Sequence, residues 1–126
     1  MERTFAAIGA IYGFLGVAAG AFGAHALRTS VTADLLETFE TGVRYQMYHA
    51  LALLVVAVAY GRWTTPHTVW AGWFFVIGTV VFSGSLYVLA LSGTRWWGAV
   101  TPIGGVCLLA GWGALLWGVI ARSPAR

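Results

Sequence analysis

The stretch that decides the fold is "RYQMYHALALLVVAVAYG", from Arg44 to Gly61. It begins with side chains that hydrogen-bond and titrate, and it continues as uninterrupted hydrocarbon. A helix that crosses the hydrocarbon core of a bilayer needs about 20 mainly apolar residues. The stretch therefore predicts a membrane span whose first turns are polar. Those polar turns hold candidate functional residues.

The composition of the whole chain agrees with a membrane location. Of its 126 residues, 60% are hydrophobic and only 9% are charged, against roughly 25% charged residues in soluble domains. The net charge of +3 comes from arginines that stand singly between apolar segments. Such spacing forms no basic patch, so we expect no nucleic-acid partner. The predicted solvent is the lipid bilayer, around a single membrane domain over 1–126.

Four segments are long and apolar enough to span, approximately 4–27, 43–61, 69–92 and 97–121. Unpaired backbone amides cannot face lipid, so these segments must be helices. We predict an all-α, four-transmembrane-helix bundle. Ala24-His25-Ala26 resembles a signal-peptide cleavage site, but the apolar run from Phe5 is longer than the usual 7–15 residue signal core.

The segment from Thr32 to Gly42 lies between the first two spans and is amphipathic. Thr32 can cap a helix whose first turn holds Asp34. Leu35 and Phe39 share one face of that helix, which predicts a short interfacial helix in the headgroup layer. A longer second helix that projects into water is the alternative.

The side of each loop follows from the positions of the arginines. With four spans, both termini lie on one side of the membrane. That side carries Arg3, Arg62, Arg122 and Arg126, and the other side carries Arg28, Arg44 and Arg95. The bias predicts that the N- and C-termini are both cytoplasmic.

Small residues recur at alternating spacings of three and four in the first and fourth helices. The first stripe is Ala6, Gly9, Gly13, Gly16, Gly20 and Gly23; the second is Gly104, Cys107, Gly111, Ala114, Gly118 and Ala121. Close backbone approach through small residues drives helix association in lipid. We expect these two helices to pair within one chain, with pairing to a second copy as the alternative. Cys107, the single cysteine, is interpreted as a small packing residue.

The polar residues inside the spans gather at the end of the bundle where the first helix ends and the second begins. We predict a candidate binding cluster there, whose members are His25, Arg44, Tyr45, Gln46, His49, Ser83, Ser85, Tyr87 and Thr101. The opposite half is nearly pure hydrocarbon apart from Tyr12, Tyr60 and tryptophans.

Three hypotheses compete for His25 and His49. They can form hydrogen bonds between helices, line a pocket for a small ligand or lipid headgroup, or ligate a metal or haem. Histidines at unlike depths are poor ligands for one haem, and zinc needs four ligands. The sequence has no HExxH, CxxC or nucleotide-binding loop. We therefore predict no catalytic residues, no metal ligands and no cofactor, and we expect the protein not to be an enzyme.

Four motifs in order carry a resemblance to a known family: "GAFGAHAL" at 20–27, "YQMYHALALL" at 45–54, "FSGSLYVLALSG" at 82–93 and "TPIGGVCLLAGW" at 101–112. Together they resemble the small membrane-protein family catalogued as domain of unknown function 423, with bacterial YgdD-like and YwdK-like members. The resemblance implies a bacterial inner-membrane protein of four helices. It implies no activity, because the family has none established.

The sequence therefore predicts an uncharacterised integral inner-membrane protein. We expect a structural or accessory module, or a module that binds a small ligand or lipid through the polar cluster. The alternatives are a small oligomeric transporter and a metal- or haem-binding membrane protein. The expected partners besides lipid are a second copy of the chain or another membrane subunit.

Overall fold

The computed structural model describes residues 1–121 and is built from long helices. In chain order these are α1 (Glu2–His25), a 3₁₀ turn (Leu27–Thr29), α2 (Ala33–Arg62), α3 (Pro66–Ser92), a second 3₁₀ turn (Arg95–Ala99) and α4 (Thr101–Ile120). All four α-helices are long and apolar enough to cross a membrane. The predicted all-α, four-span fold class is confirmed. Arg122 and Arg126, on which the predicted orientation depends, lie outside the described residues.

Helix boundaries follow local chemistry. The Thr32 hydroxyl caps α2 by accepting a hydrogen bond from the amide of Leu35 at 3.4 Å. The hydroxyl of Thr65 does the same for α3, where Pro66 occupies the first turn. Gly93 ends α3 in the left-handed conformation, with φ of 71°, which a residue with a Cβ adopts only with strain. These caps place the connections at fixed ends of the bundle.

We call the end that holds Leu27–Thr32 and Gly93–Val100 the connection end. The predicted separate interfacial helix does not form there. The segment from Thr32 to Gly42 is instead the capped beginning of α2, the alternative that the sequence left open. The physical reason is that Phe39 has a better partner than headgroups: it is buried against Gly23 of α1 and the ring of Tyr87 of α3. A helix of 30 residues is about 45 Å long, so α2 extends beyond the hydrocarbon core.

The expected pairing of α1 with α4 is wrong. The extensive contacts are between consecutive helices, α1 with α2, α2 with α3 and α3 with α4. The small residues are used as predicted, but toward neighbours: Gly16 faces Met47 of α2, and Gly104 faces the backbone of Phe82 in α3. Each small stripe meets a large side chain or a backbone on the adjacent helix, and this complementarity decides the pairing.

The main core lies where the four helices converge away from the connection end. Phe5, Leu53, Val56 and Phe75 are fully buried there. Phe5 of α1 reaches across to Gly72 of α3, where a Cβ would overlap its ring. Cys107 is half-buried, and its thiol donates to the Phe74 carbonyl at 3.4 Å, in agreement with a packing role. The core therefore fixes the helices that carry the polar side chains.

Candidate functional site

Gln46 is the centre of a polar network that joins three helices. Its side chain is only 7% exposed. The amide nitrogen donates to the backbone carbonyl of Tyr12 in α1 at 2.9 Å, and the amide oxygen accepts from the hydroxyl of Tyr87 in α3 at 2.6 Å. The nitrogen donates and the oxygen accepts, as the chemistry of a carboxamide requires. Gln46 is thus held by partners on either side of α2.

Two buried serines of α3 make further contacts between helices. The Ser83 hydroxyl donates to the carbonyl of Gly42 in α2 at 2.7 Å. Ser85 Oγ lies 2.6 Å from Thr101 Oγ1 at the start of α4. Each serine therefore bonds a neighbouring helix, and the two serines face different neighbours. Ser85 also donates to the Phe82 carbonyl of its own helix at 2.9 Å, the local bond typical of serine in apolar helices.

His49 links α2 to α4 and is only 4% exposed. The Trp112 indole nitrogen lies 3.1 Å from Nε2, and the carbonyl oxygen of Tyr45 lies 2.7 Å from Nδ1. An indole can only donate and a carbonyl can only accept. Nε2 must therefore accept while Nδ1 carries the proton, which assigns the neutral Nδ1–H tautomer. Both ring nitrogens are occupied, so neither is free to ligate a metal in this arrangement.

The other predicted members lie at the edge of this network. His25 is exposed at the last position of α1. Arg44 is also exposed and donates to the hydroxyl of Thr41 at 3.2 Å. Tyr45 is 38% exposed, and its ring packs on that of Phe82 with centroids 4.4 Å apart. The structure thus brings together most of the predicted residues and leaves the side chains of His25 and Arg44 outside the network.

Sequence reasoning missed Tyr12 and Trp112. Tyr12 accepts from Gln46 through its carbonyl and donates its hydroxyl to the carbonyl of Val76 in α3 at 2.8 Å. A signal existed for Trp112. It lies eleven residues beyond Thr101, about 16 Å along the helix, which is too deep for an interfacial anchor. An indole N–H at that depth needs an acceptor within the protein.

The polar groups are not confined to the connection end. Tyr12 lies near the middle of α1, so Gln46 extends the network toward the middle of the bundle. Thr79, midway along α3, is 4% exposed, and its hydroxyl is the one buried side-chain polar atom without a hydrogen-bond partner among residues 1–121. The prediction that polar side chains gather only in the half of the bundle at the connection end is therefore too narrow. Glutamine and tyrosine side chains are long enough to bond backbone carbonyls a turn deeper than their own Cα.

A cleft of about 310 Å³ opens beside the network. It lies between α2 and α4, with α3 as its floor, and is lined by Tyr45, His49, Phe82, Gly105, Leu108, Leu109 and Trp112. Three aromatic rings and one imidazole surround it. In the part of the chain that the structure describes, no group of three or more His, Cys, Asp or Glu side chains could hold a metal ion. The cleft suits an apolar or amphipathic occupant.

Comparison with known proteins places this arrangement in a family. Residues 19–105 match the profile of the family described as "Protein of unknown function (DUF423)". This chain belongs to that family. The predicted resemblance is confirmed, and the match covers α2, α3 and the Gly105 that borders the cleft.

Curated relatives from distant bacteria are similar over most of their length. The UPF0382 inner membrane protein YgdD of Escherichia coli K12 is 50% identical over 111 residues, which cover 88% of this chain and 85% of the relative. The UPF0382 membrane protein SH2409 of Staphylococcus haemolyticus is 44% identical over 110 residues, covering 87% and 89%. No solved structure matches. The DUF423 member described above is therefore a membrane protein of an uncharacterised family.

Proposed function

We propose that this DUF423 protein is a non-catalytic accessory module of a membrane assembly. One observation carries the proposal: the buried polar side chains of the network are paired with one another or with backbone carbonyls across helices. Hydrogen bonds of this kind stabilise membrane helix bundles by about 0.6–2 kcal/mol each. The network is suited to holding a small bundle in one shape, which is what a docking module requires.

The same pairing speaks against enzymatic chemistry at this site. A nucleophile needs a base within hydrogen-bond reach and a reacting atom beside it. The hydroxyl of Ser83 instead donates to a backbone carbonyl, and both ring nitrogens of His49 are hydrogen-bonded, to Tyr45 and to Trp112. An accessory role needs only that these hydrogen bonds hold the helices together.

The accessory role is tested by photocrosslinking in native membranes. A photoreactive residue at Phe14, which is 76% exposed on α1, should give one stoichiometric crosslink to another membrane protein. Leu53, fully buried, is the control position and should give none. The amount of that partner in the membrane should fall when this chain is deleted. Crosslinks to lipid alone, with every other membrane protein at its normal level after deletion, would refute the accessory role.

A second candidate function is the binding of a small amphipathic ligand, favoured by the cleft beside Tyr45 and Trp112. The network holds the walls of the cleft, because the bond from Trp112 to His49 ties α4 to α2 across it. Native mass spectrometry of the gently purified protein tests this candidate. A retained small molecule that is lost when the cleft is filled would support it.

For the orientation, we propose an inner-membrane location with both termini in the cytoplasm. The name of the Escherichia coli relative and the arginine bias of the sequence support it. Fusions of a fluorescent protein and of alkaline phosphatase to the C-terminus test it directly. A fluorescent, phosphatase-inactive pair is expected, and the opposite pair would invert the topology.

A further inference from the structure

We infer that the cleft between α2 and α4 binds one acyl chain of an anionic phospholipid, whose phosphate lies at Arg44. This inference rests on the ligand-binding candidate above and names the chemical class of its ligand. The ligand is a phospholipid because the cleft lies between two membrane helices. It comes from the leaflet at the connection end because Arg44 and Tyr45 lie toward that end.

The cleft is bordered by a residue that has no side chain. Helices α2 and α4 both pack on α3, and they do not form an extensive contact with each other. At Gly105, an added Cβ would stand 3.8 Å from the ring of Phe82, an ordinary contact distance. The position therefore has room for a side chain and lacks one. The space beside Gly105 is therefore open to a molecule from outside the chain.

The walls of the cleft suit a hydrocarbon chain. The ring of Tyr45 packs on Phe82, and the ring of Trp112 lies edge-on to His49 with centroids 5.9 Å apart. From Gly105 to Trp112 the cleft runs seven residues along α4, about 10 Å. Its volume of about 310 Å³ is roughly ten times the 30 Å³ share of one water molecule in the liquid. A slot of this length with aromatic walls accommodates part of an extended chain and offers dispersion contacts along its length.

Arg44 supplies the charge that selects the headgroup. It directly precedes Tyr45, which lines the cleft, and it is exposed at the polar beginning of the span. Its guanidinium donates to the hydroxyl of Thr41, a neutral group that does not cancel its positive charge. A guanidinium binds phosphate through charge-assisted, often bidentate hydrogen bonds. A phospholipid with net negative charge satisfies both Arg44 and the apolar cleft.

The experiment uses the full chain in neutral detergent, titrated with phosphatidylglycerol or phosphatidylcholine and observed by native mass spectrometry. Gly105→Leu fills the cleft. Gly113→Leu is the matched control, because it adds the same side chain to the same helix where nothing lies within 4 Å. Arg44→Gln removes the charge without entering the cleft. A brominated-chain phosphatidylglycerol adds an optical measurement, since bromine quenches a nearby indole.

We expect the unmodified chain to retain one phosphatidylglycerol about tenfold more tightly than phosphatidylcholine, whose choline cation offsets the phosphate charge that Arg44 binds; tenfold corresponds to about 1.4 kcal/mol. Gly105→Leu should lose the retained lipid and Gly113→Leu should keep it. Arg44→Gln should bind the two lipids equally. Brominated lipid should quench the unmodified chain more strongly than Trp112→Phe, which answers the question even if Gly105→Leu does not fold.

Equal retention by Gly105→Leu and Gly113→Leu, together with quenching that does not depend on Trp112, would overturn the inference. If a different small molecule is retained and is lost in Gly105→Leu, the ligand-binding candidate stands and the phospholipid assignment fails. If no adduct responds to Gly105→Leu, both fail.

Discussion

The α1–α2 and α3–α4 interfaces each contain a stripe of small residues with the same alternating spacing of three and four. The two stripes pack against different surfaces. In α1, Gly16 faces the sulfur of Met47, the mobile end of a flexible side chain. In α4, Gly104 faces the backbone nitrogen and Cα of Phe82. At Gly16 the first interface can adjust by rotating a side chain, whereas at Gly104 the second can adjust only by separating two helices. Small residues at identical spacing therefore differ in how well they tolerate an added methyl group.

The polar contacts differ between the two interfaces in a complementary way. The α1–α2 interface is fastened by Gln46, whose carboxamide also bonds to Tyr87 on α3. The α3–α4 interface is fastened by the contact between Ser85 and Thr101, whose two hydroxyl protons are shared between that contact and the carbonyls of Phe82 and Trp97. The α1–α2 interface, whose packing can adjust at Gly16, is thus held by a carboxamide with two fixed partners, and the α3–α4 interface is held by hydroxyls that can change partners. Four substitutions, from the largest expected effect to the smallest, test this difference.

Gly104→Ala should have the largest effect. Its Cβ would overlap the backbone of Phe82, so α3 and α4 must separate, at about 3 kcal/mol of unfolding free energy, the upper end of typical overpacking costs. Reversible unfolding in mixed detergent micelles, followed by circular dichroism, measures it. Gly113→Ala, with open space around it, is the control and should stay within about 0.5 kcal/mol of the unmodified chain. Equal stability of the two variants would remove the distinction between backbone and side-chain neighbours.

Gln46→Leu should come next, with a loss of about 2 kcal/mol, because two interhelical bonds disappear together. The same unfolding measurement applies, and Leu51→Met on the exposed face of α2 serves as control. In a double-mutant cycle, Tyr87→Phe should add little to Gln46→Leu, since both remove the bond they share. Full additivity of the two would show that this bond does not stabilise the bundle.

Gly16→Ala should cost about 1 kcal/mol, less than Gly104→Ala, because Met47 can rotate away from the new methyl group. Comparison of the unfolding free energies of the two alanine variants measures the difference. Restoring the space with Gly16→Ala combined with Met47→Ala should abolish the clash. A single variant as unstable as Gly104→Ala would mean that Met47 is held rigidly.

Thr101→Val should have the smallest effect, about 0.6 kcal/mol, the average of measured interhelical bonds. Ser85 keeps its bond to the Phe82 carbonyl when the threonine hydroxyl is lost. Ser83→Ala is the informative partner measurement, because it leaves the carbonyl of Gly42 without the Ser83 hydroxyl. A greater loss in Thr101→Val than in Ser83→Ala would contradict the expectation that Thr101→Val has the smallest effect.

Much of the fold could be predicted because lipid leaves few choices. Length and hydropathy gave the four spans, and the small-residue stripes correctly marked faces of close contact. They could not say which helix would be the partner. That depends on large residues such as Phe39, Phe75 and Met47, which in an apolar sequence look the same whether they face a glycine or lipid.

The polar network was predictable in membership and only partly in geometry. Gln46, His49, Ser83, Ser85, Tyr87 and Thr101 stood out as polar side chains within apolar segments, and all of them bond within the bundle. The backbone acceptors, Tyr12 and Gly42, carry no signal, because every residue has a carbonyl. The cleft could not be foreseen either, since it depends on how far α2 and α4 stand apart on α3.

The consecutive order of the helix contacts has a consequence for biogenesis. Each extensive interface joins helices that are neighbours in the chain, and such local topology favours rapid folding. The α1–α2 hairpin can close while α3 and α4 are still being synthesised. The contact between His49 and Trp112 spans 63 residues and must wait for the last helix. That bond therefore reports completion of the bundle, and the fluorescence of Trp112 during insertion would time it.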